Sequence, residues 1–128
     1  MIYGIGTDIV RVSRMQKNID EHGDKFSRRI LTDAELEDYA QAVRPAHFLA
    51  KRFAAKEATA KAMGIGFSQG MSLRDIGVGH DEHGKPVLEY FSRAKELVGE
   101  MGIGMGHISI ADEDDHAVAF VTLLESNK

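Results

Sequence analysis

The stretch Phe48-Leu49-Ala50-Lys51-Arg52-Phe53-Ala54-Ala55-Lys56-Glu57-Ala58-Thr59-Ala60-Lys61-Ala62-Met63-Gly64 constrains this chain more than any other. Pro45 ahead of it suits a first helical turn and Gly64 suits a left-handed helix end, so the spacing predicts a helix over Ala46 to Met63. Alanines at 50, 54, 55, 58, 60 and 62 let neighbours approach closely, and helix packing is a sufficient explanation for them. The helix carries one carboxylate, Glu57, among four cations, Lys51, Arg52, Lys56 and Lys61. Glu57 and Lys61 are four apart and share a face, with Phe53 one turn before Glu57 and Arg52 one turn before Lys56. Such a grouping suits a metal held together with a polyphosphate. It equally suits an ordinary surface pair worth roughly 0.2–0.5 kcal/mol. A second carboxylate, Asp8, ends a strand-like run, where it either joins Glu57 or caps the next helix through amides near Val10 and Arg11. Spacing alone does not bring Asp8 to Glu57.

The rest of the chain reads as alternating short elements. Ile2 to Val10 is a glycine-interrupted strand, followed by a helix from Val12 to Ile19 that ends near Gly23 and carries Arg11, Arg14 and Lys17 alongside. Thr32-Asp33-Ala34-Glu35 has capping-box spacing, which starts a helix at Asp33 running toward Ala42. After the glycine-bearing loop 64–70, Ile76 to Gly79 and Pro86 to Tyr90 read as strands joined by Asp81-Glu82-His83-Gly84. Ser92 is placed to cap a helix reaching Met101. Two further strands, His107 to Ala111 and Ala117 to Leu124, flank the polar turn Asp112 to Asp115. The order β-ααα-ββ-α-ββ indicates an α+β fold with a mainly antiparallel sheet around a long central helix.

Composition narrows the chemistry. With 128 residues and no cysteine, the chain is expected to form one domain over 1–128 that buries its core without disulfides, and thiolate and Cys-zinc sites are excluded. No run has the apolar length of a membrane span and the N-terminus has no basic, then apolar, leader pattern, so no membrane partner is expected and the location expected is cytoplasmic. Net charge is −4, which argues against a nucleic-acid partner, but it is unevenly spread. Residues 1–61 hold 11 Lys and Arg against 9 Asp and Glu, and residues 62–128 hold 5 against 11. A basic face on an acidic protein suits an anionic ligand or an acidic protein partner, although a solvated surface of uneven charge gives the same count.

Taken in order, Gly4-Ile5-Gly6-Thr7-Asp8-Ile9-Val10, then Phe48 to Ala58, then Lys61-Ala62-Met63-Gly64 resemble the two signatures of the holo-acyl-carrier-protein synthases, a 4′-phosphopantetheinyl transferase family. The resemblance extends to Arg28-Arg29-Ile30-Leu31-Thr32 and His107-Ile108-Ser109-Ile110. It implies transfer of the phosphopantetheine arm of coenzyme A to a serine of apo acyl carrier protein, in fatty-acid synthesis, by a homotrimer with sites between subunits. Carrier domains of other pathways are a close enzymatic alternative, and a module that binds coenzyme A or an acidic protein without catalysis is the contrasting one.

The same resemblance implies residue roles. Asp8 and Glu57 would be Mg²⁺ ligands, a number that fits a cation which keeps waters and takes substrate phosphates. Glu57, or a water it orients, would be the base for the serine, and Lys61 would contact the pyrophosphate. Arg44, Arg52 and His107 would serve the nucleotide end of coenzyme A and Phe48 would flank its adenine or its pantetheine, with Gly64 and Gly66 in the loop beside the pyrophosphate. A lone strand histidine paired with backbone is the bland reading of His107. Arg14 and Arg28, with Arg29 nearby, would meet the acidic carrier protein, supplemented by an apolar anchor such as Met15 or Phe26. The chain departs from the family pattern at Ala111-Asp112-Glu113, where a hydroxyl residue and second histidine are common, at Ile65, where a small hydroxyl residue is common, and at Ser13, where some members carry a cation.

Overall fold

Residues 1–127 are described by a computed structural model. A strand β1 (Ile2–Arg11) leads into helices α1 (Val12–His22), α2 (Asp24–Ile30), α3 (Asp33–Ala40) and α4 (Pro45–Met63). A short 3-10 turn (Leu73–Asp75) precedes a hairpin of β2 (Ile76–His80) and β3 (Pro86–Tyr90), and α5 (Ser92–Glu100) leads to a second hairpin, β4 (Ile103–Asp112) and β5 (His116–Glu125). The strands form two antiparallel sheets, β1-β5-β4 and β2-β3. Among the described residues no helix is long and apolar enough to cross a membrane.

Local chemistry accounts for the boundaries. Pro45 occupies the first turn of α4 and Gly64 ends it at φ 85°, a left-handed conformation that glycine adopts without a Cβ penalty. The Thr32 hydroxyl accepts from the Glu35 amide at 3.2 Å while Glu35 Oε1 accepts from the Thr32 amide at 2.9 Å, which closes the capping box of α3. The N-terminus of α1 is capped from far along the chain: Asp115 Oδ1 accepts from Ser13 N–H at 3.2 Å and the Asp115 carbonyl accepts from Val12 N–H at 2.8 Å. Asp115, and not Asp8, therefore serves that helix.

Two local expectations need correcting. The helix α2 is absent from the sequence reading because Gly23 precedes it with no side-chain cap and it spans only seven residues, too few to display a period; Ser27 and Ile30 are its buried positions. Ser92 does not cap α5 but is its first residue, with φ 49°, and Phe91 is the uncapped N-cap.

The core forms around α4, which is buried on nearly every side: Leu49, Ala50, Ala54, Ala55 and Ala58 have no exposed surface. Gly4, Gly6, Asp8 and Val10 share the face of β1 that meets α4, following the two-residue period of a strand. A Cβ on Gly4 would collide with the Ala62 carbonyl, and one on Gly6 with the Ala58 carbonyl and the Ala62 amide. Backbone therefore packs on backbone, and Asp8, two residues beyond Gly6, is carried to the surface of α4.

Candidate active site

The approach of β1 to α4 brings three of the expected residues together within a single chain. Lys61 Nζ lies 2.9 Å from Asp8 Oδ1 and also donates to the Thr7 carbonyl at 3.1 Å. Glu57, one turn earlier on α4, is half-buried and accepts no hydrogen bond from a described residue. Burial pushes its carboxyl above the ordinary range, the charge of Asp8 adds to that, and Lys61 and Arg14 act against it. Asp8 thus belongs to the same chain as Glu57, and the two carboxylates are close enough to repel.

Arg14, exposed on α1, reaches the same place. Its guanidinium carbon is 6.0 Å from the centre of the Phe53 ring, and its charge favours the ionised form of Glu57. Arg28 and Arg29 are exposed on α2, which packs against α1, the helix that carries Arg14. Met15 is 1% exposed and belongs to the core, which removes it as a docking anchor; Phe26 is half-buried.

The remaining expected residues divide between two other places. At the start of α4, Arg44 is exposed with Nη2 at 2.7 Å from His47 Nε2, and that nitrogen lies 3.2 and 3.0 Å from the carbonyls of Glu113 and Asp114. Phe48 packs against Tyr39, with ring centroids 5.8 Å apart, and carries the Arg52 guanidinium 4.5 Å over its face. Arg44 and Lys61 are thus separated along α4 by about 25 Å at 1.5 Å per residue. Gly64 and Gly66 follow the helix, but their amides are used to close it, donating to Lys61 and Ala60 carbonyls at 3.0 and 3.2 Å. His107 is elsewhere. Its neighbour Ile108 pairs with Val121 and both are buried toward α4, so His107, one residue away, points out of the opposite face of the sheet.

Two of the four cations on α4 turn inward, which the sequence did not reveal. Lys56 has no exposed surface, and its ammonium donates to Glu35 Oε1 at 2.7 Å, to the Leu73 carbonyl at 3.2 Å and to the Ile76 carbonyl. Glu35 Oε2 accepts from Val78 N–H at 2.8 Å and lies 3.9 Å from Arg52 Nε, which has no hydrogen-bond partner among the described residues. Burial lowers the pKa of Lys56 and Glu35 opposes that shift. This network ties α3, α4 and β2 together directly behind Glu57. Its only advance signal was the capping-box glutamate at position 35, a residue type that is seldom buried unless paired.

Asp8 and Glu57 form a pair with no third acidic, histidine or cysteine ligand grouped beside them among the described residues. Two carboxylates next to a cluster of cations fit a hard, oxygen-liganded ion that keeps waters and shares substrate phosphates, and they do not make a closed structural site.

Comparison with known proteins agrees with this geometry. Residues 4–121 match the model of the 4′-phosphopantetheinyl transferase superfamily. A holo-[acyl-carrier-protein] synthase from Nitrosococcus oceani is 56% identical over 97% of this chain and 80% of its own length. The crystal structure of the holo-[acyl-carrier-protein] synthase from Neisseria meningitidis superposes with a TM-score of 0.93 at 46% identity, covering 98% of this chain and 100% of that one. A Bacillus anthracis holo-(acyl-carrier-protein) synthase solved in complex with CoA (3′,5′-ADP) is 39% identical with a TM-score of 0.81, covering 99% of both chains. The chain, matched over most of its length and with its paired motifs meeting in space, belongs to the 4′-phosphopantetheinyl transferase superfamily.

Proposed function

We propose that this chain, read as one domain over 1–128, is a holo-acyl-carrier-protein synthase of fatty-acid biosynthesis. It moves the 4′-phosphopantetheine of coenzyme A onto a serine of apo acyl carrier protein and releases adenosine 3′,5′-bisphosphate. The observation that carries this reading is the meeting of Asp8, Glu57 and Lys61 at one surface beside Arg14. A pure binding module has no need of two mutually repelling carboxylates there.

Asp8 and Glu57 would hold Mg²⁺, which would neutralise charge on the pyrophosphate. The serine oxygen forms its bond to the phosphorus that bears pantetheine as the bond to the departing phosphate oxygen breaks. Glu57, or a water that it orients, takes the serine proton. Lys61 faces the departing phosphate and stabilises the negative charge that collects there. Arg44, Phe48 and Arg52, about 25, 20 and 14 Å from Lys61 along the same helix at 1.5 Å per residue, serve the nucleotide end; Arg44 lies farther from Lys61 than the nucleotide half of one coenzyme A spans, so it serves the site of another copy of the chain. Arg52 serves there chiefly by bracing the Phe48 face, since it is buried against Glu35. Arg14 and Arg28 attract the acidic carrier protein and deliver its serine beside Glu57.

The homotrimer is part of the same reading. The outer face of the β1-β5-β4 sheet exposes Ile5, Ile9, Met105, Val118 and Phe120, an apolar surface larger than scattered single residues. His107 lies on that outer face, so it reaches a nucleotide held on the α4 side only from another copy of the chain. Trimers by light scattering, with a monomer as the refuting result, test this part. The cytoplasm, where coenzyme A and the carrier protein would meet the enzyme, is the proposed location.

The deciding experiment is the intact mass of apo acyl carrier protein after incubation with this protein, coenzyme A and Mg²⁺. Gain of one phosphopantetheine group supports the reading. An unchanged mass with folded protein overturns it in favour of binding alone.

A further inference from the structure

The geometry points to Lys61 as an internal counter-ion that a divalent cation displaces from Asp8 by charge repulsion, so that metal binding itself releases this ammonium toward the anionic substrate. The inference rests on the metal-ligand roles proposed above for Asp8 and Glu57. Three observations carry it. Lys61 Nζ sits on Asp8 Oδ1 at 2.9 Å, and the carboxylate is 16% exposed, so the ammonium already occupies one of the two oxygens of a largely covered carboxylate. A second donor position of the same ammonium is used by the Thr7 carbonyl at 3.1 Å, which holds it against β1 and not out toward solvent. Lys61 itself is 54% exposed, so it can swing away with no change in the core.

The consequences follow from charge. Without a metal, Asp8 and Glu57 would repel, and Lys61 and, from α1, Arg14 each offset part of that repulsion. A dication arriving between the carboxylates replaces that compensation and repels the ammonium. On Asp8 the dication and the ammonium compete for the charge of one carboxylate. The freed Lys61 is then available to the phosphate oxygens of coenzyme A, which the metal also attracts. Metal and coenzyme A therefore help each other bind, and by linkage the help is equal in both directions.

The test uses Mn²⁺ as a spectroscopic stand-in for a hard, oxygen-liganded ion, with free Mn²⁺ measured by electron paramagnetic resonance on the whole protein without coenzyme A. Lys61→Met is expected to tighten Mn²⁺ binding by about tenfold, since it removes a competing charge at salt-bridge distance from a ligand. Lys61→Arg, which keeps the charge, is expected to stay close to the wild-type protein. In the wild-type protein saturating Mn²⁺ tightens coenzyme A binding, and that gain shrinks in Lys61→Met. Asp8→Asn separates this inference from the one beneath it. If Asp8→Asn binds Mn²⁺ as well as the wild-type protein, the ligand assignment itself fails and the inference falls with it. If Asp8→Asn loses Mn²⁺ while Lys61→Met binds it no better than the wild-type protein, the ligand assignment stands and the displacement is refuted.

Discussion

Lys56→Met is the perturbation that most sharply tests how this fold supports its site. Methionine keeps the length of the side chain and fills the same space, so packing changes little and the electrostatic loss dominates. The substitution leaves Glu35, 3% exposed, without its closest counter-ion, and removes the donor from the Leu73 and Ile76 carbonyls. Breaking a buried ion pair costs about 3–5 kcal/mol, and the low end applies because Arg52 stays 3.9 Å from Glu35 and two backbone amides still donate to it. Each orphaned carbonyl adds about 1 kcal/mol, for a total of about 5 kcal/mol. A chain of 128 residues unfolds with an entropy of roughly 0.27 kcal/mol/K, so Tm should fall by about 18 °C. Urea unfolding at pH 7 followed by circular dichroism, with a parallel thermal melt, reads both quantities. The double variant Glu35→Leu with Lys56→Met should recover little, because the Thr32 and Val78 amides and the two carbonyls all remain unpaired. A loss under about 1 kcal/mol in the single variant would mean that the network is not under the strain of burial assumed here.

Other expectations concern the site and one isolated hydroxyl. Glu57→Gln should abolish transfer while leaving the melting curve nearly unchanged, and near-normal turnover would contradict its role as ligand and base. Arg14→Ala should raise KM for the carrier protein several-fold and flatten its salt dependence while sparing coenzyme A binding, as measured by initial rates at increasing ionic strength. Tyr90→Phe should be neutral or stabilising by about 1 kcal/mol at pH 7, because the buried hydroxyl has no hydrogen-bond partner among the described residues. Burial pushes the Tyr90 phenol up to about 12. Between its ordinary value near 10 and about 12 the folded protein holds a proton that the unfolded chain has lost, so stability falls as pH rises through that window. The phenylalanine variant lacks this term, and identical alkaline unfolding profiles for the two proteins would refute it.

Several elements were legible because their signals are local. Pro45 and Gly64 bound α4, and Thr32 with Glu35 opens α3, through contacts that reach no further than four residues. The two hairpins likewise follow from alternation on either side of polar turns, where Asp81 Oδ1 accepts from the His83 and Lys85 amides at 2.8 and 2.9 Å. Where the signal was short or distant, the reading failed. Seven residues of α2 give less than two full turns of pattern, and the cap of α1 comes from Asp115, more than a hundred residues away. Arg52 and Lys56 look like surface charges in any local window, and only the position of Glu35 turns them inward.

Taken by itself, the sequence determined the elements other than α2, the antiparallel character of the sheets, the central helix and the residue types of the site, since each depends on neighbours within one or two turns or on paired motifs. Tertiary structure alone decided which of those residues meet. Gly4 and Gly6 have no Cβ, so β1 settles directly on the backbone of α4, and this close approach places Asp8 of the same chain on Lys61 and beside Glu57. Strand alternation then sends His107 out of the other face of the sheet, because a side chain one residue from a buried neighbour must point the opposite way.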